Sequence, residues 1–384
     1  MHPRITLSVT NFFFGFSVAI VVYVLLPYLA NFMPVQYTGL VIAAGAALAS
    51  GAFFALPKLV ARIGAQQAAI LLTVAQMFVL FALAAGPNKF AVVPLVALAV
   101  ALQPFLGYTL DLLLEATVKE ETVTGRVRTL FLTAWNVAEL GAPLVLGAVL
   151  DTSNAYGRVF LAAAVALIPV IVIFATRTLP AGKPPRLAHA KETFLTILHD
   201  RDLTAVSVGH LLLYLFYIWA PLYVPLYLHD TLHIPWSTLG WIFAIILLPF
   251  IFIEYPAGFI ADNYLGDKEL MVLGFVIMGS ALAAVSLITS TSSIAFIVGI
   301  LLLSRVGAAL VESMTEAHFF RRVSETDIET IAFYRILWPL SGLIAPLIGS
   351  MLLFIDGFFA LFLITGVLIG IIGVTAALSI RDFR

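Results

Sequence analysis

Two pairs of carboxylates are spaced four apart, Asp111 with Glu115 and Glu312 with Glu316, which puts each pair on one helical face. Glu139 and Arg305 stand singly inside long apolar runs. A carboxyl group desolvated in such a run can titrate near neutral pH, and an arginine there can partner an anion. His210 lies in another apolar run with Tyr214, Tyr217 and Tyr223; it could bind a proton or a solute, or serve only in packing. The tyrosines, with Tyr23, could form an aromatic wall, although anchoring at a membrane interface explains Tyr223 equally well. His229 and His233 are four apart in a loop ending at Pro235, and without further ligands they give no reason to expect a metal. GxxxxGK[ST], GxSxG and HExxH patterns are absent and there is no cysteine. Neither an enzyme nor a cofactor is expected.

The elements that must hold these residues are membrane helices. Of 384 residues, 62% are hydrophobic and 11% charged, far from the roughly 45–50% and about 25% of soluble chains. The charge balance of 20 Lys and Arg against 21 Asp and Glu argues against nucleic acid as a partner. A bilayer-crossing helix needs about 20 mostly apolar residues, and twelve such runs are expected: 5–30, 36–59, 66–85, 91–117, 128–150, 159–175, 205–228, 236–261, 269–288, 294–317, 328–353 and 358–380. With the N-terminus inside, cations such as Arg62, Lys119, Arg126, Lys183, Arg322 and Arg381 gather on one side, leaving only Lys89 and Arg158 opposite. That bias predicts cytoplasmic termini. Glu139 then lies eleven residues into the fifth span from the inside, and Arg305 eleven into the tenth from the outside. Each is about 16 Å deep, near the midplane.

A polar stretch, Thr178 to Asp202, carries Pro180, Pro184 and Pro185 and separates six spans from six. Shifting the second half by about 201 residues aligns Pro34 and Gly39 with Pro235 and Gly240, and Asp111 and Glu115 with Glu312 and Glu316. A short insertion then aligns Trp135 and Pro143 with Trp338 and Pro346, and a two-residue slip sets Asn11 opposite His210. The expectation is an all-α membrane protein of two six-helix halves in parallel repeat: residues 1–177, a cytoplasmic linker at 178–202, and residues 203–384.

Between the eighth and ninth spans stands Gly258-Phe-Ile-Ala-Asp262-Asn-Tyr-Leu-Gly266-Asp-Lys268. It resembles the GxxxD(R/K)xxGR(R/K) loop of the major facilitator superfamily of secondary transporters. The first-half copy retains Arg62 and Gly64 but has Pro57 and Ala61 where the motif has glycine and aspartate. The resemblance implies a substrate site between the halves near the midplane, lined by the first, fourth, seventh and tenth helices, with Glu139 and Arg305 able to bridge the halves. It also implies an inner gate in which Asp111, Glu115, Glu312 and Glu316 meet Arg335 and the motif loops, including Gly258, Asp262, Gly266 and Lys268. One of those acids could instead carry a proton. Gly141-Ala142-Pro143-Leu-Val-Leu-Gly147 is similar to part of an antiporter motif of that superfamily, and Ala345-Pro346-Leu-Ile-Gly349 repeats it, so the pattern also reads as a helix-bending device.

The expected function is alternating-access transport coupled to protons, with efflux of a lipophilic or drug-like compound first. Uptake of a small anion or sugar is the alternative, or an uncoupled sensor or lipid scramblase. Glu139, Arg305, His210, Asn11, Tyr214 and Tyr217 are the expected substrate or proton residues. Expected partners are the small solute, protons and the lipid bilayer. The chain is expected to be a monomer in a bacterial inner membrane.

Overall fold

The computed structural model describes residues 3–53, 55–117, 121–179, 190–323 and 328–381, excluding the side chains at 3, 53, 121–129, 190–193, 328–329 and 332. The prolines of the linker lie outside the described residues. Every regular element among those described is a helix. In chain order the α-helices are α1 (Pro3–Val22), α2 (Leu25–Ala30), α3 (Val35–Phe53), α4 (Leu56–Ile63), α5 (Ala65–Ala84), α6 (Lys89–Glu115), α7 (Glu121–Leu150), α8 (Tyr156–Ala166) and α9 (Ile168–Thr176). There follow α10 (Ala190–His199), α11 (Arg201–Leu226), α12 (Trp236–Ile245), α13 (Leu248–Phe252), α14 (Glu254–Asn263), α15 (Asp267–Ala284), α16 (Ile294–Arg322) and α17 (Ile328–Ser379).

Among the described residues, eleven helical stretches are long and apolar enough to cross a membrane. Several expected spans are interrupted where proline, lacking an N–H, cannot continue the ladder of the turn before it: α4, α9 and α13 each carry proline in the first turn. Other prolines, such as Pro94 and Pro104 in α6, stay inside a continuous helix, as membrane helices tolerate. The last stretch, Phe333–Ser379, runs 47 residues, and its backbone leaves helical geometry at Asp356 and Gly357. The fifth helix starts at Glu121, seven residues before the expected edge, because the polar segment ahead of Arg128 also winds into the helix.

Side chains cap the two helices that carry the acid pairs. Asn88 accepts the amides of Phe90 and Ala91 at 3.1 Å each at the start of α6, and Ser293 accepts Phe296 at 3.2 Å at the start of α16. The glycines of the two motif loops share a role: Gly64 (φ 86°) and Gly266 (φ 148°) are the N-cap residues of α5 and α15. Each motif loop thus enters its following helix through a glycine of positive φ, a conformation that favours glycine.

By internal contacts the chain divides into two compact units. One comprises Met1–Arg186 with Pro221–Ala244, the other Leu187–Ala220 with Ile245–Arg384. The second unit includes α10, a ten-residue helix inside the expected linker.

Candidate functional site

Within the second unit, α11, α16 and the first arm of α17 gather most of the expected solute-binding residues. Arg305 is eleven residues from the start of α16 and only 6% exposed. Its guanidinium lies over the Phe216 ring, 4.9 Å from the centroid, an arrangement favourable for a cation in a dry site. At the next residue of α11, the Tyr217 hydroxyl donates to the Glu312 carboxylate. Arg305 and Glu254 lie within electrostatic range of that hydroxyl, as Glu312, Glu316 and Arg335 do of the Tyr214 hydroxyl.

His210 is buried, with Nδ1 3.3 Å from the Thr315 hydroxyl. Its ring stacks on Tyr334 at 4.1 Å and meets the edge of Tyr214 at 4.2 Å, and Tyr214 in turn meets Trp338 at 5.0 Å. The Nε2 of His210 has no hydrogen-bond partner among the described residues. This unit thus holds an aromatic wall with a buried cation, a tyrosine-bound carboxylate and an imidazole. Such a set can hold a solute that is largely apolar and carries one or two polar groups.

The motif loop is tied down differently from the expected set. Asp262 pairs with Arg321 at 2.6 Å. Arg321 also reaches the buried Asp267 at 3.4 Å, whose other oxygen is 3.4 Å from Nδ1 of the buried His318. Asp267 therefore connects the start of α15 to the end of α16. Lys268 makes no ion pair among the described residues. An added Cβ at Gly258 would meet nothing within 4 Å, so close helix approach is not what that glycine serves in this conformation. Nearby, Asp202 accepts the Arg381 amide at 2.8 Å and Arg322 approaches it at 3.6 Å. Asp200 accepts the amides of Asp202 and Leu203 at 2.9 and 3.1 Å and pairs with Arg322 at 3.2 Å. Burial pushes the Asp200 carboxyl up, but those amides and the guanidinium outweigh it and hold it below the usual carboxylate range.

In the first unit, Asn11 is buried and donates to the Phe131 carbonyl at 2.9 Å, tying α1 to α7. Glu139 is half-buried and eleven residues from the far end of α7, so the longer helix leaves its depth unchanged. Asp111, Glu115 and Arg62 are exposed. Tyr23 stacks on Phe243, with centroids 4.9 Å apart, and Tyr223 is fully buried, which removes lipid-interface anchoring as its role.

The segment following α11 packs onto the α7–α8 turn. His229 places Nδ1 2.9 Å from the Ile234 carbonyl and Nε2 2.8 Å from the Asn154 side-chain oxygen; the Ser237 amide donates to the Asp151 carbonyl at 3.2 Å. A Cβ at Gly240 would sit 2.6 Å from the Pro143 carbonyl oxygen and 2.8 Å from the Gly147 Cα. Only glycine allows α7 and α12 to come this close. No group of three or more His, Asp or Glu able to hold a metal occurs among the described residues.

Sequence reasoning missed Glu254, Asp267, His318 and the packing of Asn154 against His229. Glu254 gave the clearest signal, a carboxylate inside the apolar run 236–261.

Residues 206–382 match the Major Facilitator Superfamily model, and the chain resembles that superfamily as its motif loop implied. Among solved structures it is similar to a bacterial homologue of the human lysosomal transporter Spinster. In the inward-facing, unoccupied conformation the identity is 11%, with coverage of 98% of this chain and 96% of that one, at a TM-score of 0.75. For the occupied conformation of that homologue the values are 12%, 98%, 95% and 0.77. A POT family transporter in complex with a thioalcohol-conjugated peptide gives 12%, 97%, 94% and 0.75. At these identities the likeness is one of fold. No curated protein matches the chain in sequence.

Proposed function

We propose that the chain is a secondary transporter that moves a small organic solute by alternating access, driven by protons, with no cofactor. The observation that carries this reading is the Arg305, Tyr217, Glu312 and His210 cluster, set in membrane-crossing helices of a major facilitator fold. Burying a charge in a span costs at least ~2.5–3.5 kcal/mol on insertion scales, so such charges mark a pathway. In this reading the arms of α17 on either side of Gly357 are the eleventh and twelfth spans. Both termini are cytoplasmic, and the halves are residues 1–177 and 203–384 joined by the 178–202 linker.

The aromatic lining supports a lipophilic or drug-like cargo exported from a bacterial cytoplasm by a monomer. Uptake of a small anion is the second reading, favoured by the burial of Arg305. Purified protein in liposomes, given an imposed proton gradient and a panel of lipophilic cations, organic anions and sugars, tests both. Gradient-driven movement of lipophilic compounds is the expected result, movement of anions alone supports the second reading, and no movement of any solute removes both.

A further inference from the structure

We propose that the second unit carries a binding groove for an anionic phospholipid at the membrane boundary, formed where α10 turns into α11 and passes the end of α17. The groove is an open depression of about 540 Å³, lined by polar His199, Arg201 and Thr204 toward the start of α11 and by apolar Val208, Ile371 and Ile372 further along. That gradient runs along α11 from its first residue inward, the direction in which a lipid goes from headgroup to acyl chain. The apolar part belongs to helices long and apolar enough to cross a membrane, so acyl chains are its natural filling.

Charge selects the headgroup. Arg201 is exposed and makes no ion pair among the described residues. The acids on either side of it are already engaged, Asp200 by Arg322 and two backbone amides, and Asp202 by Arg322 and the Arg381 amide. Nδ1 of His199 donates to the Leu195 carbonyl at 2.6 Å, which fixes the ring beside Arg201. A guanidinium with no carboxylate partner among the described residues favours a headgroup of net negative charge over a zwitterionic one.

The helix beside the groove points the same way. α10 buries Ile197 and sets Phe194 against Phe333 at 5.4 Å, yet leaves Phe194, Leu195 and Leu198 between 42% and 51% exposed. An apolar face left open at the end of a membrane helix lies in the headgroup region rather than in water. The linker helix thus seats on the bilayer and frames the lipid's headgroup.

Native mass spectrometry of the purified full chain, equilibrated with equal amounts of phosphatidylglycerol and phosphatidylcholine of identical acyl chains, tests this. Retention of phosphatidylglycerol over phosphatidylcholine by about fivefold is expected, the preference one arginine confers beside an anionic surface. Arg201→Gln should bring the two lipids to parity, while Arg201→Lys keeps the preference and Arg158→Gln, at an exposed cation far along the chain, leaves it intact. Thr375→Trp, which fills the groove, should lower retention of both lipids. Unfolding temperatures of the variants separate loss of the site from loss of the fold. Equal retention by the unaltered chain, an unchanged preference in Arg201→Gln, or displacement of the lipid by inorganic phosphate would each overturn the assignment.

Discussion

At the scale of single residues, burial decides which charged contacts matter for stability and which for motion. The hydroxyl of Tyr217 donates to a carboxylate inside a membrane helix, where a charge-assisted hydrogen bond is worth about 1.5–3 kcal/mol. Tyr217→Phe should therefore both lower the unfolding temperature and weaken solute binding; a variant with unaltered binding would remove Tyr217 from the site. The Asp262–Arg321 pair is short but open to solvent, with side chains 61% and 40% exposed, and such pairs contribute about 0–1 kcal/mol. Asp262→Asn is accordingly expected to leave thermal stability nearly unchanged. In the gate reading it raises labelling of a cysteine introduced in the adjoining loop. The chain has no cysteine of its own to obscure that measurement. Unchanged labelling would reduce Asp262 to a loop residue.

At the scale of elements, two helix junctions make opposite demands. Gly→Ala in a helix interior ordinarily stabilises by roughly 0.5–1 kcal/mol, but at Gly240 the new Cβ would lie 2.6 Å from the Pro143 oxygen, and overpacking costs about 1–3 kcal/mol. Gly240→Leu should force α7 and α12 apart and increase labelling at Thr238→Cys; a closed, unlabelled end would contradict that. At the start of α11, Asp200 is the N-cap, and Asp200→Ala should cost about 1 kcal/mol. Its folded carboxyl titrates below the unfolded one, so its contribution is complete above the unfolded pKa and disappears as pH falls through the folded value. Unfolding curves should show the variant and the unaltered chain converging in acid; a gap that widens there would refute this. Runs of apolar residues made most candidate membrane helices legible, and the spacing of Glu312 and Glu316 singled out α16, which carries part of the candidate site. The stacking of His210 on Tyr334 was not legible, since it joins residues over a hundred positions apart. Nor was the burial of Asp267, which in sequence reads as one more polar residue of a loop.

At the scale of the whole molecule, a transport cycle requires the proton to bind one conformation better than the other, because a ligand shifts an equilibrium only by its differential affinity. Glu139 is the carboxylate whose placement in the first half suits this role in the proposed cycle. It is half-buried and about 16 Å from the far end of α7, and in general a dry setting disfavours a carboxylate while a neighbouring cation favours it. If the cycle moves Glu139 between a dry and a charge-compensated setting, it takes up a proton in one and releases it in the other. Glu139→Gln fixes the neutral form. It should abolish proton-driven accumulation of solute in liposomes, while equilibrium binding and solute-for-solute exchange remain within about twofold of the unaltered chain, since a neutral isostere preserves shape and hydrogen bonding. Accumulation that survives the substitution would transfer the proton to the carboxylates of α6 or α16 and leave Glu139 a residue of helix packing.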